Sequence, residues 1–231
     1  MNNNENYFET SVGTSLQRHV VRTFGWMFVG LLVTAATAFA VSTTSFMYYI
    51  FSFRFAPIIL LVAQSGVVVS LVGRISKISP TSAKLLFMLY SILTGVTFSV
   101  LGLAYGLGTL ALAFVVTAVY FGCLVLIGVT TKMNLLRFGP ILFAGLLALI
   151  ISQVIMAFMG VSSDSMLFSA IGLLLFTAIT AYDAQKMKAL YMQHEGDEVM
   201  LKRLSIYSAF DLYLDFINIF LYILRFLGNR D

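Results

Sequence analysis

Three aspartates lie in or beside the last two apolar segments of this chain. Asp183 falls in TAITAYDAQK, and Asp211 and Asp215 fall in AFDLYLDFINIF. A charged side chain in the hydrocarbon core costs roughly 3 kcal/mol or more, so intramembrane acids usually have a function. Two neighbouring carboxylates in a low dielectric share a proton and repel each other when both ionise. Carboxylate oxygens are also hard ligands of the kind that Ca²⁺ prefers. The chemistry available is therefore proton sensing, cation coordination, or both.

The composition places these acids in a membrane protein. Of the 231 residues, 60% are hydrophobic and only 10% are charged, whereas about 25% of the residues of a soluble domain are charged. So much apolar surface predicts that the main partner is the lipid bilayer. The net charge of +4 is spread over the segments between apolar runs, which argues against a nucleic-acid partner.

Seven segments are long and apolar enough for a helix to cross a bilayer core, which needs about 20 residues. They are roughly 24–45, 56–73, 84–106, 108–130, 137–160, 165–185 and 205–227. We predict an all-α membrane protein, a bundle of seven transmembrane helices that forms a single domain over residues 24–231. Residues 1–23 are predicted to be a polar, irregular N-terminal arm.

Local signals support these boundaries. Pro57, Pro80 and Pro140 each fall just before or within the first turn of a segment, where proline is tolerated because the first N–H groups have no helical partner. Ser79 is predicted to be the N-cap of the third span. Residues 106–108 are predicted to form a tight turn between spans three and four.

The distribution of Lys and Arg predicts the orientation. If the N-terminus is cytoplasmic, eleven of the 14 basic residues lie inside and three outside, as expected from the excess of positive charge in cytoplasmic loops. The inside residues are Arg18, Arg22, Arg74, Lys77, Lys84, Lys132, Arg137, Lys186, Lys188, Lys202 and Arg203; the outside ones are Arg54, Arg225 and Arg230. A six-span core whose last segment does not fully cross fits these counts as well.

A polar stripe runs along the last segment. It consists of Tyr207, Asp211, Asp215, Asn218 and Tyr222, which share one face of an α-helix. Such a stripe will not face lipid, so the last helix is predicted to be the most buried. Asp183 and Asp215 are equally far from residue 199, so a symmetrical loop would place them at one depth. Asp211 would lie about one turn nearer the cytoplasm. Alternatively, the acids only pair with bases such as Arg74 or Lys186 and hold the bundle together.

Four segments of the chain resemble a known family. FMLYSILTGVTFS, TTKMNLLRFG, TAITAYDAQKMK and LYLDFINIFLYILRFLG are similar to the bacterial inner-membrane branch of the Bax-inhibitor family, the transmembrane Bax inhibitor motif proteins. The resemblance covers nearly the whole chain beyond the polar N-terminus. It implies a seven-helix fold with the last helix surrounded by the other six, in the cell inner membrane.

The resemblance also implies a function, that of a pH-sensitive calcium leak channel gated by an aspartate pair on helices six and seven. Asp183 and Asp215 match the two gating aspartates, and they are the expected residues for a calcium ion, the only cofactor that we consider. Asp211 matches an accessory acid seen in eukaryotic members. Arg74 is the basic residue of span two that best matches the arginine of the family's latch.

Two other classes of function compete with a channel. The chain could instead be a regulatory protein that modulates a membrane-bound protease or a stress response, with the arm 1–23 as its contact. Paired acids also serve intramembrane aspartyl proteases. No Gly precedes Asp215 in a G-x-G-D pattern, however, and Pro-Ala-Leu does not occur. We therefore expect that the protein is not an enzyme.

Overall fold

The computed structural model describes residues 3–159 and 165–228, and no strand occurs among them. The elements are α1 (Asn3–Ser42), α2 (Phe46–Ser52), α3 (Ala56–Gly73), α4 (Pro80–Phe98), α5 (Leu101–Thr130), a 3₁₀ turn (Leu135–Phe138), α6 (Gly139–Phe158), α7 (Met166–Gln193) and α8 (Glu198–Gly228). The prediction of an all-α protein is confirmed.

The local signals at helix starts act as predicted. The Ser79 hydroxyl accepts a hydrogen bond from the Ser82 amide at 3.0 Å, and Pro80 is the first residue of α4. Pro57 and Pro140 lie in the first turns of α3 and α6. A serine cap and an early proline satisfy or remove N–H groups that have no helical partner, so these sequence positions fix where the helices begin.

Two boundaries differ from the prediction. The helix of span three ends at Phe98 instead of continuing to residue 106. The break at Gly106 is present, but it lies inside α5 and not between two separate helices. Its φ is 73°, a backbone conformation that only glycine adopts at no steric cost. The arm 1–23 is not irregular over the described residues: α1 is continuous from Asn3 to Ser42.

Within residues 3–159 and 165–228, six helical segments are long and apolar enough to cross a membrane, the first being Ser15–Ser42. Many of their large apolar side chains are exposed, including Leu107, Ile141 and Leu167, each at least 69% accessible. Side chains of this kind belong against lipid tails rather than water. The 31-residue helix α8, which carries Asp211 and Asp215, is not among the six.

The chain forms two compact units. The first comprises the residues up to Val100 together with Met187–Tyr213, and the second comprises Leu101–Lys186 and the residues from Leu214 onward. Helices α7 and α8 contribute residues to both units. The boundary at residue 24 and the single domain over 24–231 stay predictions.

A buried polar contact joins three helices of the first unit. The Thr34 hydroxyl of α1 lies 2.7 Å from the Tyr213 hydroxyl of α8 and 3.1 Å from the Ser91 carbonyl oxygen of α4. The Tyr213 ring meets the edges or faces of Phe87 and Tyr90 at centroid distances of 5.3 and 6.0 Å. Aromatic packing and a satisfied hydroxyl together hold this part of α8 in place.

In the second unit, small residues let helices approach closely. Gly128 of α5 lies against Ala181 and Ala184 of α7, and a Cβ at Gly128 would overlap the Ala181 carbonyl oxygen. Gly172 of α7 lies against the Tyr222 ring of α8 in the same way. Small residues at such crossings are the usual means of helix association in membranes, where there is no hydrophobic drive between helices.

We predict that Gly128→Ala destabilises the protein by about 1–3 kcal/mol, because the new methyl group must push α5 away from α7. The midpoint of thermal unfolding in detergent measures this. Gly122→Ala in the same helix is the matched control, since a Cβ there meets no atom within 4 Å. Equal midpoints for the two variants would contradict the close packing at Gly128.

Candidate functional site

Asp215 is a buried acid on a helix that is shielded along most of its length. It is 3% exposed, and none of residues 203–228 of α8 is exposed. Of the other residues of the polar stripe, Tyr222 is buried, and Tyr207, Asp211 and Asn218 are half-buried; that the stripe does not face lipid stays a prediction. The other faces of α8 are more deeply buried than the side that carries Tyr207, Asp211 and Asn218.

The residues around Asp215 in the second unit are largely aromatic. The adjacent Phe216 makes edge contacts with Phe114 and Phe121 of α5, both at a centroid distance of 5.5 Å. One turn and a half further on, Tyr222 lies 6.0 Å from Phe176 of α7. The residues that follow Asp215 on α8 thus pack against large aromatic side chains, and Asp215 itself is buried.

Asp183 has a basic partner on its own helix. Its side chain is 11% exposed, and its Oδ1 lies 3.3 Å from Nζ of Lys186, one turn further along α7. Lys186 was one of the bases proposed from the sequence as a structural partner, and this ion pair is present. The nearby Thr180 is fully buried and donates to the Phe176 carbonyl of α7.

The turn between α7 and α8 does not have its centre at residue 199. It spans residues 194–197, Gly196 has φ of 96°, and the Asp197 carboxylate caps α8 by accepting from the Met200 amide at 2.9 Å. Asp183 lies ten residues before the end of α7, whereas Asp215 lies seventeen residues after the start of α8. The argument that both acids lie at one depth is therefore wrong. Their pairing rests on the motifs instead.

Gln185 is a residue of this region that the sequence alone did not single out. Its Nε2 donates to the Met133 carbonyl at 2.8 Å, and its Oε1 accepts from the Leu135 amide at 2.7 Å. One side chain thus fastens the loop after α5 to α7, two residues beyond Asp183. The sequence signal that could have pointed to this contact is the glutamine in AYDAQK together with the TTKMN segment. Asn134 in that segment caps the following 3₁₀ turn.

The polar residues on α3 have different surroundings. Gln64 donates to the Thr94 and Thr97 hydroxyls of α4 at 3.4 and 3.5 Å, so it links two helices. Arg74 is exposed at the C-cap of α3, where its carbonyl accepts from the Lys77 and Ile78 amides. Arg74 belongs to the first unit, whereas Asp183 and Asp215 belong to the second.

A resident metal centre is not found in the described part of the chain. Residues 3–159 and 165–228 contain no group of three or more His, Cys, Asp or Glu side chains that could hold a metal ion. Two carboxylates alone supply fewer oxygens than the six to eight that Ca²⁺ takes.

Comparison with known proteins identifies the family. The family model described as inhibitor of apoptosis-promoting Bax1 matches residues 16–231. The chain belongs to this Bax-inhibitor family. The inner membrane protein YbhL of Escherichia coli is 40% identical over 219 residues, 93% of each chain. An uncharacterized protein of Borreliella burgdorferi is 36% identical over 214 residues, 92% of each chain. The resemblance noted in the sequence is confirmed, and with it an integral membrane protein of this family.

We predict that Gln185→Ala frees the loop after α5 without unfolding α7. Loss of two hydrogen bonds, each worth about 1 kcal/mol, should speed hydrogen exchange of the Leu135 amide roughly five- to tenfold or more. Hydrogen exchange followed by mass spectrometry over residues 131–138 measures this. Gln193→Ala is the control, since Gln193 is exposed at the end of the same helix; if it gave the same acceleration, the loop contact would not be the cause.

Proposed function

We propose that this protein is a pH-sensitive cation leak channel, with Ca²⁺ as the cargo and Asp183 and Asp215 as its proton-sensing gate. The burial of Asp215 inside a shielded helix is the observation that carries the proposal. Loss of a proton there places a charge on a side chain that is 3% exposed, and burial of that charge favours entry of a cation or movement of α8. Asp211 is proposed as an accessory acid on the same stripe.

The Asp183–Lys186 ion pair is compatible with a role in gating as well as with a purely structural role. An ammonium group 3.3 Å away competes with a passing cation for the carboxylate. When Asp183 is protonated the attraction between its carboxylate and the Lys186 ammonium is lost. Proton uptake at Asp183 therefore changes a contact within α7. Arg74 is included as a latch residue only on the resemblance to the family.

We treat calcium as cargo rather than as a resident cofactor. The described residues offer no cluster of three acids, and a leak channel needs sites weak enough for the ion to leave. Asp183 and Asp215 would hold a Ca²⁺ ion only in passing, with water supplying the remaining ligands.

For the topology we propose seven spans, with α8 as the central seventh helix and the N-terminus in the cytoplasm. A 31-residue helix rises about 46 Å, more than the roughly 30 Å of a hydrocarbon core. Its shielding along residues 203–228 is what a central helix requires. The similarity to YbhL, named an inner membrane protein, supports location in a cell inner membrane.

The orientation predicts which loops react with a membrane-impermeant maleimide added to intact spheroplasts. In a Cys123→Ser background, Arg54→Cys should be labelled from outside and Lys77→Cys should not, because an excess of basic residues marks the cytoplasmic side. Both side chains are exposed, so permeabilised cells should label both. Labelling of Lys77→Cys in intact spheroplasts would reverse the orientation.

The channel proposal is tested by Ca²⁺ efflux from liposomes that contain the purified protein, measured from acid to mildly alkaline pH. We expect the flux of the wild type to change with pH, and Asp183→Asn and Asp215→Asn each to remove most of that dependence, because a carboxamide does not titrate. Lys186→Gln should shift the pH response, since it removes the ion pair of Asp183.

Glu195→Gln is the control, since Glu195 is exposed in the turn between α7 and α8, and it should leave the pH profile unchanged. If wild-type liposomes show no Ca²⁺ flux at any pH, the channel is rejected. If Asp215→Asn retains the full pH dependence, the acid acts only in packing.

We further propose that the acids have no catalytic role. The ion pair of Asp183 with a lysine differs from a proteolytic dyad, in which two carboxylates share one proton. A membrane-bound protease remains a candidate partner for the arm 1–23, and such regulation is compatible with a channel.

A further inference from the structure

The first unit contains two cavities that share Arg22 and Lys202 in their walls. The larger, about 320 Å³, is lined by residues of α1, α7 and α8, and Arg18 also faces it. The smaller, about 210 Å³, lies between α1, α4 and α8 and includes Trp26 and Lys84. We call Arg18, Arg22, Lys84 and Lys202 with these two cavities the basic cleft. The cleft is distinct from the aspartates discussed above.

The charge of the basic cleft is strongly one-sided. It contains four of the 14 Lys and Arg residues of the chain. Among the described residues of its walls the one acid is Glu198, which is 85% exposed and lies 3.5 Å from Lys202, a surface pair that contributes little. Arg18 and Arg22 are four residues apart on α1, where like charges repel. An anion between these side chains would relieve the repulsion.

The larger cavity also has polar groups suited to an oxyanion. His19 lines it and is 4% exposed, and its Nε2 has no hydrogen-bond partner among the described residues. Its ring lies 5.3 Å from the Tyr191 ring, and the Tyr191 hydroxyl bonds to that of Ser15. Guanidinium groups bind phosphate oxygens in a bidentate manner, and a neutral imidazole or a hydroxyl can add a further hydrogen bond.

The position of the basic cleft indicates which kind of phosphate compound could reach it. Trp26, the only tryptophan of the chain, lies one turn beyond Arg22 at the start of the apolar part of α1, and the Lys84 ammonium lies 4.9 Å from its ring centre. Tryptophan and basic side chains mark the level of lipid headgroups. Basic pockets between transmembrane helices bind anionic headgroups.

We propose that the basic cleft binds a phosphate group, that of an anionic phospholipid headgroup. Arg22 and Lys202 contact it from both cavities, Arg18 lies on the side of the larger cavity, and Lys84 lies beside Trp26. A lipid held there bridges α1, α4 and α8 at one end of the first unit. A soluble phosphate has the same chemistry, and the test below separates the two sources.

The sole tryptophan makes the test specific. The full-length protein is placed in phosphatidylcholine nanodiscs that contain a small fraction of phosphatidylglycerol, with brominated acyl chains on one lipid or the other. We expect brominated phosphatidylglycerol to quench Trp26 fluorescence at a much lower mole fraction than brominated phosphatidylcholine. Arg22→Gln with Lys202→Gln should weaken this preference roughly tenfold, as expected for two cations at a headgroup.

The control is Arg54→Gln with Lys77→Gln, which removes the same charge from exposed residues outside the cleft and should retain the preference. Arg22→Lys with Lys202→Arg keeps the charge and should retain most of it, which separates charge from misfolding. If the wild type shows no preference for phosphatidylglycerol, or if both charge-removing pairs lose it equally, a lipid site is rejected.

A second arm uses inorganic phosphate in nanodiscs of phosphatidylcholine alone, with chloride at equal ionic strength as the reference. If phosphate changes Trp26 fluorescence in the wild type but not in the Arg22→Gln, Lys202→Gln variant, and also displaces phosphatidylglycerol, the source is a soluble phosphate. If neither phosphatidylglycerol nor phosphate acts through Arg22 and Lys202, the proposal of a phosphate site is overturned.

Discussion

The cost of placing carboxylates inside a membrane protein constrains the whole of α8. Asp211 and Asp215 are separated by one helical turn, so any orientation of α8 that exposed their stripe to lipid would expose both. None of residues 203–228 is exposed, and the faces of α8 beside the stripe are the most deeply buried. Shielding of this extent requires other helices to present apolar faces outward, and their exposed leucines and isoleucines do so.

A polar helix that is shielded by others needs contacts that do not depend on the hydrophobic effect. In the first unit, the Tyr213 hydroxyl meets Thr34 within an aromatic cluster. In the second, Tyr222 lies against Gly172, where no side chain stands in the way. Close approach and satisfied hydroxyls supply packing energy that lipid cannot match. The burial of the carboxylates on α8 therefore depends on the close helix packing that the small residues allow.

The sequence predicted those features that depend on local physics. The Ser79 cap and the early prolines follow from N–H groups without partners, and the burial of Asp215 follows from the cost of an acid that faces lipid. The end of α4 at Phe98 and the helical continuation of α1 to Asn3 did not follow, because hydropathy measures affinity for lipid and not helix continuity. Symmetry about residue 199 failed for a related reason: the Asp197 cap and Gly196 determine where the turn lies.

The sequence analysis missed Gln185 because its role depends on where the Met133 carbonyl and the Leu135 amide lie after folding. Hydrophobic periodicity does not reveal those positions. Its position nonetheless couples two features of α7. Within four residues, Asp183 holds Lys186 while Gln185 holds the loop after α5 through Met133 and Leu135. A change in the charge of Asp183 that shifts or rotates this turn of α7 must therefore also strain the loop contact. In the channel that we propose, proton uptake by Asp183 would thereby have a mechanical route to the segment that joins α5 to α6.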